Sequence, residues 1–212
     1  VLRIDREQYE EAHRAVEIAD DDERPALELV ACGRTFPGHE VAVMGPEDDL
    51  LPDGQVGEIV FSGPSVAAGY FQNEAATQAA IRGKWLHTGD LGFTWNGRVY
   101  VSGHMKDLII LNGRNYYPQS VEWEVEQVDG IRRGNVVAFS TAGAHSEELV
   151  VVAETKLADA EARQELGQLI EQRVHDALGV RARAVELVGP GALPKTSSGK
   201  PQRNRTRLMF ED

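Results

Sequence analysis

The texture of the chain changes at Lys106-Asp107, and that change constrains the fold more than any other feature. Upstream, apolar residues recur at every second position in short runs broken by Gly, Pro, Asn and Asp. Val41 and Val43 alternate within His39 to Met44, and Ile59 and Phe61 within Gly57 to Ser62. Such alternation reads as half-buried strands, with Gly45-Pro46 and Pro52-Asp53-Gly54 supplying the turn region between them. Leu91 to Thr94 and Arg98 to Ser102 form a further pair joined at Asn96-Gly97, a dipeptide that tolerates the positive φ a two-residue hairpin demands. Asn73 predicts the cap of a short helix reaching Ile81.

Downstream the period lengthens. Leu108 to Leu111 predicts a buried strand, and Pro118 opens a helix with Val121, Val125 and Val128 on one face. Val136 to Ser140 and Glu148 to Thr155 predict paired strands. Ala158 to Leu178 lines up Ala162, Leu166, Leu169, Ile170, Val174 and Leu178 on a long amphipathic helix that Gly179 stops, and Val180 to Val188 predicts another strand. The expectation is a two-module α+β chain without internal repeats. A mainly β module covers residues 1–104 and a compact α+β module covers 105–212, with a joint near Lys106. Residues 1–30 read as an insertion rather than core. They predict one or two acidic helical turns around Tyr9, Ala12, Ala15, Val16 and Ile18, then the polar run Asp20 to Arg24 and the breaker Pro25.

Charge narrows the function classes. Lys and Arg total 22 against 34 Asp and Glu, and the net charge of -12 opposes attraction to nucleic acid or an anionic membrane. No stretch approaches the ~20 apolar residues of a membrane span, and the first residues lack a basic-then-apolar leader. The single cysteine, Cys32, excludes an intramolecular disulfide framework and suits the cytoplasm. The charge is uneven, however. Acids crowd residues 5–28, whereas Lys195, Lys200, Arg203, Arg205 and Arg207 share a stretch with none, either a tail for a phosphate-bearing ligand or a solvated terminal helix.

Two motifs offer chemistry. In Trp85-Leu86-His87-Thr88-Gly89-Asp90, placed on a loop, Asp90 has two oxygens that can accept from vicinal ribose hydroxyls, and Gly89 lets backbone approach the sugar. An isolated Thr-Gly-Asp is more often a plain turn before a strand. In Leu193-Pro194-Lys195-Thr196-Ser197-Ser198-Gly199-Lys200, the Lys200 ammonium is a compact cation with three donors, able to bridge a carboxylate and an α-phosphate as charge builds. Low side-chain bulk around it predicts a freely moving loop. A Walker A reading fails, because Pro194 and Pro201 stand where that motif needs Gly and Ser or Thr. Lys106 and Asp107 fit either a solvated linker or a hinge.

Between the two motifs runs Gly103-His104-Met105-Lys106-Asp107-Leu108-Ile109-Ile110-Leu111-Asn112-Gly113-Arg114-Asn115-Tyr116-Tyr117-Pro118. In this order the segments resemble the adenylate-forming acyl ligases over nearly the whole chain. Leu29-Val30-Ala31-Cys32-Gly33-Arg34-Thr35-Phe36-Pro37-Gly38, Gly63-Pro64-Ser65-Val66-Ala67-Ala68-Gly69-Tyr70 and Gly113 to Pro118 resemble the fatty acyl-AMP ligase branch. The resemblance implies the distorted-barrel end of a large adenylating domain, with residues 31–104 as its β-subdomain and residues 1–30 as the insertion peculiar to these ligases. A mobile C-terminal lid domain, 105–212, follows.

It also implies roles. Asp90 and His104 would bind nucleotide, Lys200 would be catalytic, Lys106 and Asp107 would form the hinge, and Gly113 and Arg114 would belong to the thiol-transfer region. His104 stands where the family has arginine, and Pro201 where it has an aliphatic residue. ATP and Mg²⁺ would be the cofactors, with no metal ligand in this chain. The partners would be a fatty acid and an acyl carrier protein, or coenzyme A in the nearest alternative. The family's Gly/Ser/Thr-rich phosphate loop and its Tyr-Gly-x-x-Glu segment are not among these residues, so the resemblance implies an N-terminal portion elsewhere and no adenylation by this chain alone. A non-catalytic carrier-docking or regulatory remnant is the alternative from another class.

Overall fold

The structure, a computed structural model, describes residues 1–143 and 146–211. It divides into two compact units, with the boundary between Lys106 and Asp107.

In the first unit, β1 (Leu2–Asp5) leads directly into α1 (Arg6–Ala12), and β2 (Ala26–Leu29) returns antiparallel to β1 with Leu2 opposite Leu29. The Asp5 carboxylate caps α1 by accepting from the Gln8 amide at 3.0 Å, as an N-cap side chain does. This segment contributes side chains to the core, against the expectation that it stands apart from the core. Ile4, Tyr9, Ala15 and Ile18 are buried, and Tyr9 meets Phe93 edge-on at 6.1 Å. Apart from the buried Asp5, most of the acids are exposed. Arg24 pairs with Asp5 and Asp22, each at 2.6 Å, and its side-chain hydrogen bond holds the Asp22 carboxyl at about 2.

The main sheet of this unit contains β3 (Glu40–Met44), β4 (Gly57–Ser62), β5 (Ile81–Arg82), β6 (Trp85–Trp95) and β7 (Arg98–His104). Its path runs β3-β4-β6-β5, and β7 also pairs with β6. α2 (Glu74–Ala80) precedes β5, and Asn73 caps it by accepting from the Ala76 amide at 3.0 Å. Asn96 and Gly97 take φ of 50° and 68°, so the β6–β7 turn is the positive-φ hairpin that their identities predict. Among the described residues the sheet is open, which corrects the expected distorted barrel. β3 pairs with β4 and otherwise only through the single bridge Met44–Leu50, and β7 meets Gly33 only through a single bridge at Val99, so no strand pairing joins the two edges.

In the second unit, β8 (Ile109–Leu111) and β9 (Arg114–Tyr116) form a hairpin, and α3 (Pro118–Glu126) follows. β10 (Ile131–Ala142) pairs antiparallel with β11 (Glu147–Thr155). α4 (Ala160–Leu178) then crosses to β12 (Ala182–Val188), which lies parallel to β11. Asp159 caps α4, and Gly179 ends it at φ 69°. α3 ends at Glu126, short of the expected Val128, which still packs on the core.

Alternation along the strands builds two apolar faces. Val136, Ala138, Val151 and Ala153 join Val121, Val125, Leu166, Ile170 and Val174 from α3 and α4. Burying each of those three α4 side chains contributes about 1.5–3 kcal/mol. On the other face Val137, Phe139, Val150 and Val152 pack with Leu193, and Phe210 of α5 (Arg203–Glu211) meets Phe139 edge-on at 5.9 Å.

Candidate functional site

Asp90 lies within β6 rather than on a loop. In the β4–β6 ladder Glu58 faces Leu91 and Val60 faces His87, so Thr88, Gly89 and Asp90 together oppose the single residue Ile59. The excess makes a β-bulge, and a bulge leaves backbone groups without ladder partners. Side chains satisfy them. Glu58 accepts from the Gly89 amide at 2.9 Å, the Thr88 hydroxyl accepts from the Asp90 amide at 3.0 Å, and the same hydroxyl donates to the Ile59 carbonyl at 2.6 Å.

His104 faces Asp90 across β6 and β7 and donates from Nδ1 to the Gly89 carbonyl. The structure therefore brings Asp90 and His104 together and leaves Nε2 as the second ring nitrogen. Gly89 takes φ +74°, and a Cβ there would come within 2.7 Å of the His104 ring. Backbone conformation and crowding both demand glycine here. Glu58 was not foreseen as part of this site. It also accepts from His87 Nδ1 at 2.7 Å, and both side chains are largely buried. A carboxylate directly before the apolar run Ile59-Val60-Phe61, on the same strand, is the signal that sequence could have offered.

Lys106 ends the first unit inside a short 3₁₀ turn, Met105–Asp107, and Asp107 opens the second. Gly113 follows Asn112 at the β8–β9 turn, both with positive φ, and Arg114 begins β9 opposite Leu111.

Lys200 is exposed at the end of a loop that is more ordered than its composition predicts. The Thr196 amide donates to the Lys200 carbonyl at 2.8 Å, the Gly199 amide to the Thr196 carbonyl at 2.9 Å, and the Gln202 amide to the Pro194 carbonyl at 2.8 Å. These bonds close the loop on itself, which corrects the expected free backbone. Among the described residues no hydrogen bond or ion pair takes up the Lys200 ammonium.

One buried and one exposed charge anchor this loop. Glu154 is fully buried and accepts from the amides of Gly191 and Leu193 at 2.8 and 3.2 Å, with Arg132 also donating to it. Burial alone would raise its carboxyl, but the two amides with the Arg132 and Lys195 charges outweigh that and hold it below its ordinary value. Lys195 donates to Asn135 Oδ1 at 2.7 Å. Beyond the loop, Arg203 donates to Asp107, Glu122 and the Ala138 carbonyl at 2.7, 2.7 and 2.9 Å. Burial raises the Glu122 carboxyl, with Arg203 opposing the shift. Glu154 stands out in sequence as a charge ending the apolar run Leu149 to Ala153, whereas Arg203 is hidden among basic neighbours.

Among the described residues no group of three or more His, Cys, Asp or Glu could hold a metal ion. No helix among them is long and apolar enough to cross a membrane.

Comparison with known proteins matches residues 11–71 to the AMP-binding enzyme family and residues 113–205 to the AMP-binding enzyme C-terminal domain. The chain is 38% identical over 209 residues to a putative acyl-CoA synthetase of Caulobacter vibrioides, covering 98% of this chain and 36% of that protein. It is 33% identical to JamA of Moorena producens, a medium-chain-fatty-acid–[acyl-carrier-protein] ligase, covering 99% of this chain and 38% of that protein. A solved structure from work on fatty acyl-adenylate ligases of E. coli and L. pneumophila superposes with a TM-score of 0.86 at 34% identity, over 99% of this chain and 37% of that one. The chain thus spans little more than a third of the length of the proteins it matches. Lys200 falls within the second family match while Asp90 and Lys106 lie between the two matches, and with a relative 38% identical over 98% of its length the chain belongs to the adenylate-forming superfamily of AMP-binding enzymes.

Proposed function

We propose that the chain is the C-terminal part of a fatty acyl-AMP ligase, which converts a fatty acid and ATP to acyl adenylate and pyrophosphate and then passes the acyl group to a carrier-protein thiol. The observation that carries this reading is Lys200, an exposed cation without a protein partner among the described residues, held on a closed loop in a unit matching the AMP-binding enzyme C-terminal domain.

In the first step a carboxylate oxygen attacks the α-phosphorus, and the bond to the pyrophosphate leaving group breaks. Negative charge builds on the α-phosphate oxygens, and the Lys200 ammonium stabilises it while holding the attacking carboxylate. Asp90 accepts from the ribose hydroxyls, and His104 offers Nε2 toward the nucleotide. In the second step a thiol attacks the acyl carbon and AMP leaves. Gly113 and Arg114 belong to the thiol-transfer region, and Lys106 with Asp107 forms the hinge that withdraws Lys200 between the steps. Mg²⁺ would accompany ATP, with its protein ligand expected in the portion of the enzyme outside this chain. The reading places the enzyme in the cytoplasm, with the remaining N-terminal portion of the same protein as its first partner.

The relative named as an acyl-CoA synthetase favours a second reading, in which coenzyme A is the acyl acceptor. Supplying the complete enzyme with acid and ATP together with either coenzyme A or a carrier protein separates the two. We expect the carrier protein acylated on its thiol, and not acyl-coenzyme A, as the product. Residues 1–212 alone are expected to give no ATP–pyrophosphate exchange, and measurable exchange by them would refute the assignment of the remaining machinery to another portion.

A further inference from the structure

Arg203 makes more bonds than local structure requires. β10 is an edge strand of its sheet, so Ala138 presents an amide and a carbonyl with no ladder partner on that side. Glu122 accepts from the Ala138 amide at 2.9 Å, and Arg203 Nε donates to the Ala138 carbonyl while its NH2 group donates to Glu122. Those contacts complete the edge. The remaining arm, NH1, reaches Asp107 at 2.7 Å across 96 positions of sequence. Both side chains of that pair are mostly buried, at 19% and 18% exposure, so the contact is not a screened surface pair.

The two ends of this bond have distinct places in the chain. Asp107 is the first residue of the second unit. Arg203 comes immediately after Gln202, whose amide closes the lysine loop on Pro194. On the loop's other side Glu154 grips Gly191 and Leu193, and Lys195 grips Asn135. The backbone that carries Lys200 is therefore tied to the body of its unit, and the Arg203–Asp107 pair joins that attachment to the unit boundary.

We infer that Arg203 is a positioning residue, acting through Asp107 to transmit movement at the Lys106–Asp107 boundary to the Lys200 ammonium without slack. The inference rests on the catalytic role proposed for Lys200. A displacement of about 1 Å at a reacting group costs on the order of 10²-fold in rate, so slack at this joint acts on the first half-reaction. The second half-reaction does not use Lys200 and is indifferent to it.

The test uses the complete ligase with Asp107→Asn, Arg203→Lys and the double variant, and Lys200→Ala as reference. Asp107→Asn is decisive, because it leaves Arg203, Glu122 and Ala138 bonded and so keeps the edge of β10 intact. We expect each single variant to lower kcat for acyl-adenylate formation at least tenfold, with KM for ATP nearly unchanged and acyl transfer from supplied acyl adenylate unaffected. The double variant should be no worse than the more impaired single one. Adenylation at the parental rate in Asp107→Asn, or an equal fall in both half-reactions, overturns the inference. If Lys200→Ala itself still adenylates, the functional reading fails first, and that outcome is separate from a fault in the Arg203–Asp107 coupling.

Discussion

Glu58 accepts a hydrogen bond from the Gly89 amide at 2.9 Å, tying one strand to the bulge of its neighbour across 31 positions of sequence. The other carboxylate oxygen accepts from His87, so one side chain fixes the residues on both sides of Thr88. The bulge that displays Asp90 is thereby held by a group that itself has no place against a ribose.

Glu58→Ala leaves the Gly89 amide and His87 Nδ1 without their acceptor. We expect the first unit to lose about 2 kcal/mol, the scale of an abandoned, partly buried donor. Urea unfolding followed by Trp85 and Trp95 fluorescence measures this. In the complete enzyme KM for ATP should rise about tenfold with kcat little changed, the signature of lost uniform binding. A fall in kcat at unchanged KM contradicts the placement of Asp90 at the ribose.

Gly89→Ala meets two obstacles, a φ of +74° and a His104 ring atom 2.7 Å from the new Cβ. The left-handed conformation alone costs roughly 1–2 kcal/mol in an alanine. The variant should be destabilised by at least that amount. Adding His104→Ala should recover only the steric part, leaving the backbone part in the double variant. Full recovery would show that the φ at this bulge relaxes freely.

The carboxyl of Glu154 is held below its ordinary value, so its stabilising contribution is complete at neutral pH and disappears as pH falls through the lowered folded value. Glu154→Gln should cost about 2 kcal/mol at pH 7. The gap to the parent chain should narrow steadily below about pH 5. Taking the difference between the two proteins cancels the opposite contribution of Glu122, whose carboxyl burial raises. Denaturation midpoints across pH 3–8 test this, and a gap independent of pH argues against ionised Glu154 as the anchor of the lysine loop.

Residues whose own backbone chemistry decides the structure were legible in the sequence. Asn96-Gly97 sets its hairpin, Gly179 ends its helix and Asn73 caps another, because each effect is local. The bulge at Thr88 to Asp90 was not legible, since the groups that satisfy it come from Glu58, Ile59 and His104 on other strands. Residues 1–30 misled for a different reason. Their acids, most of them exposed, mask in sequence Ile4, Tyr9, Ala15 and Ile18, which belong to the buried core. The lysine loop read as mobile because Ser, Thr and Gly dominate it, yet its closure depends on backbone bonds from Thr196, Gly199 and Gln202. Residue types in sequence point to Asp90 and Lys200 as candidates for chemistry. The anchors that hold them are fixed by pairings remote in sequence.

The central claim, that Lys200 serves acyl-adenylate formation and not acyl transfer, is tested most directly by assaying both half-reactions of the complete enzyme carrying Lys200→Ala. ATP–pyrophosphate exchange should fall by at least about 10²-fold, the scale of a lost transition-state charge partner. Transfer from supplied acyl adenylate to the carrier thiol should stay near the parental rate. Retained exchange, or equal loss in both steps, would contradict the account.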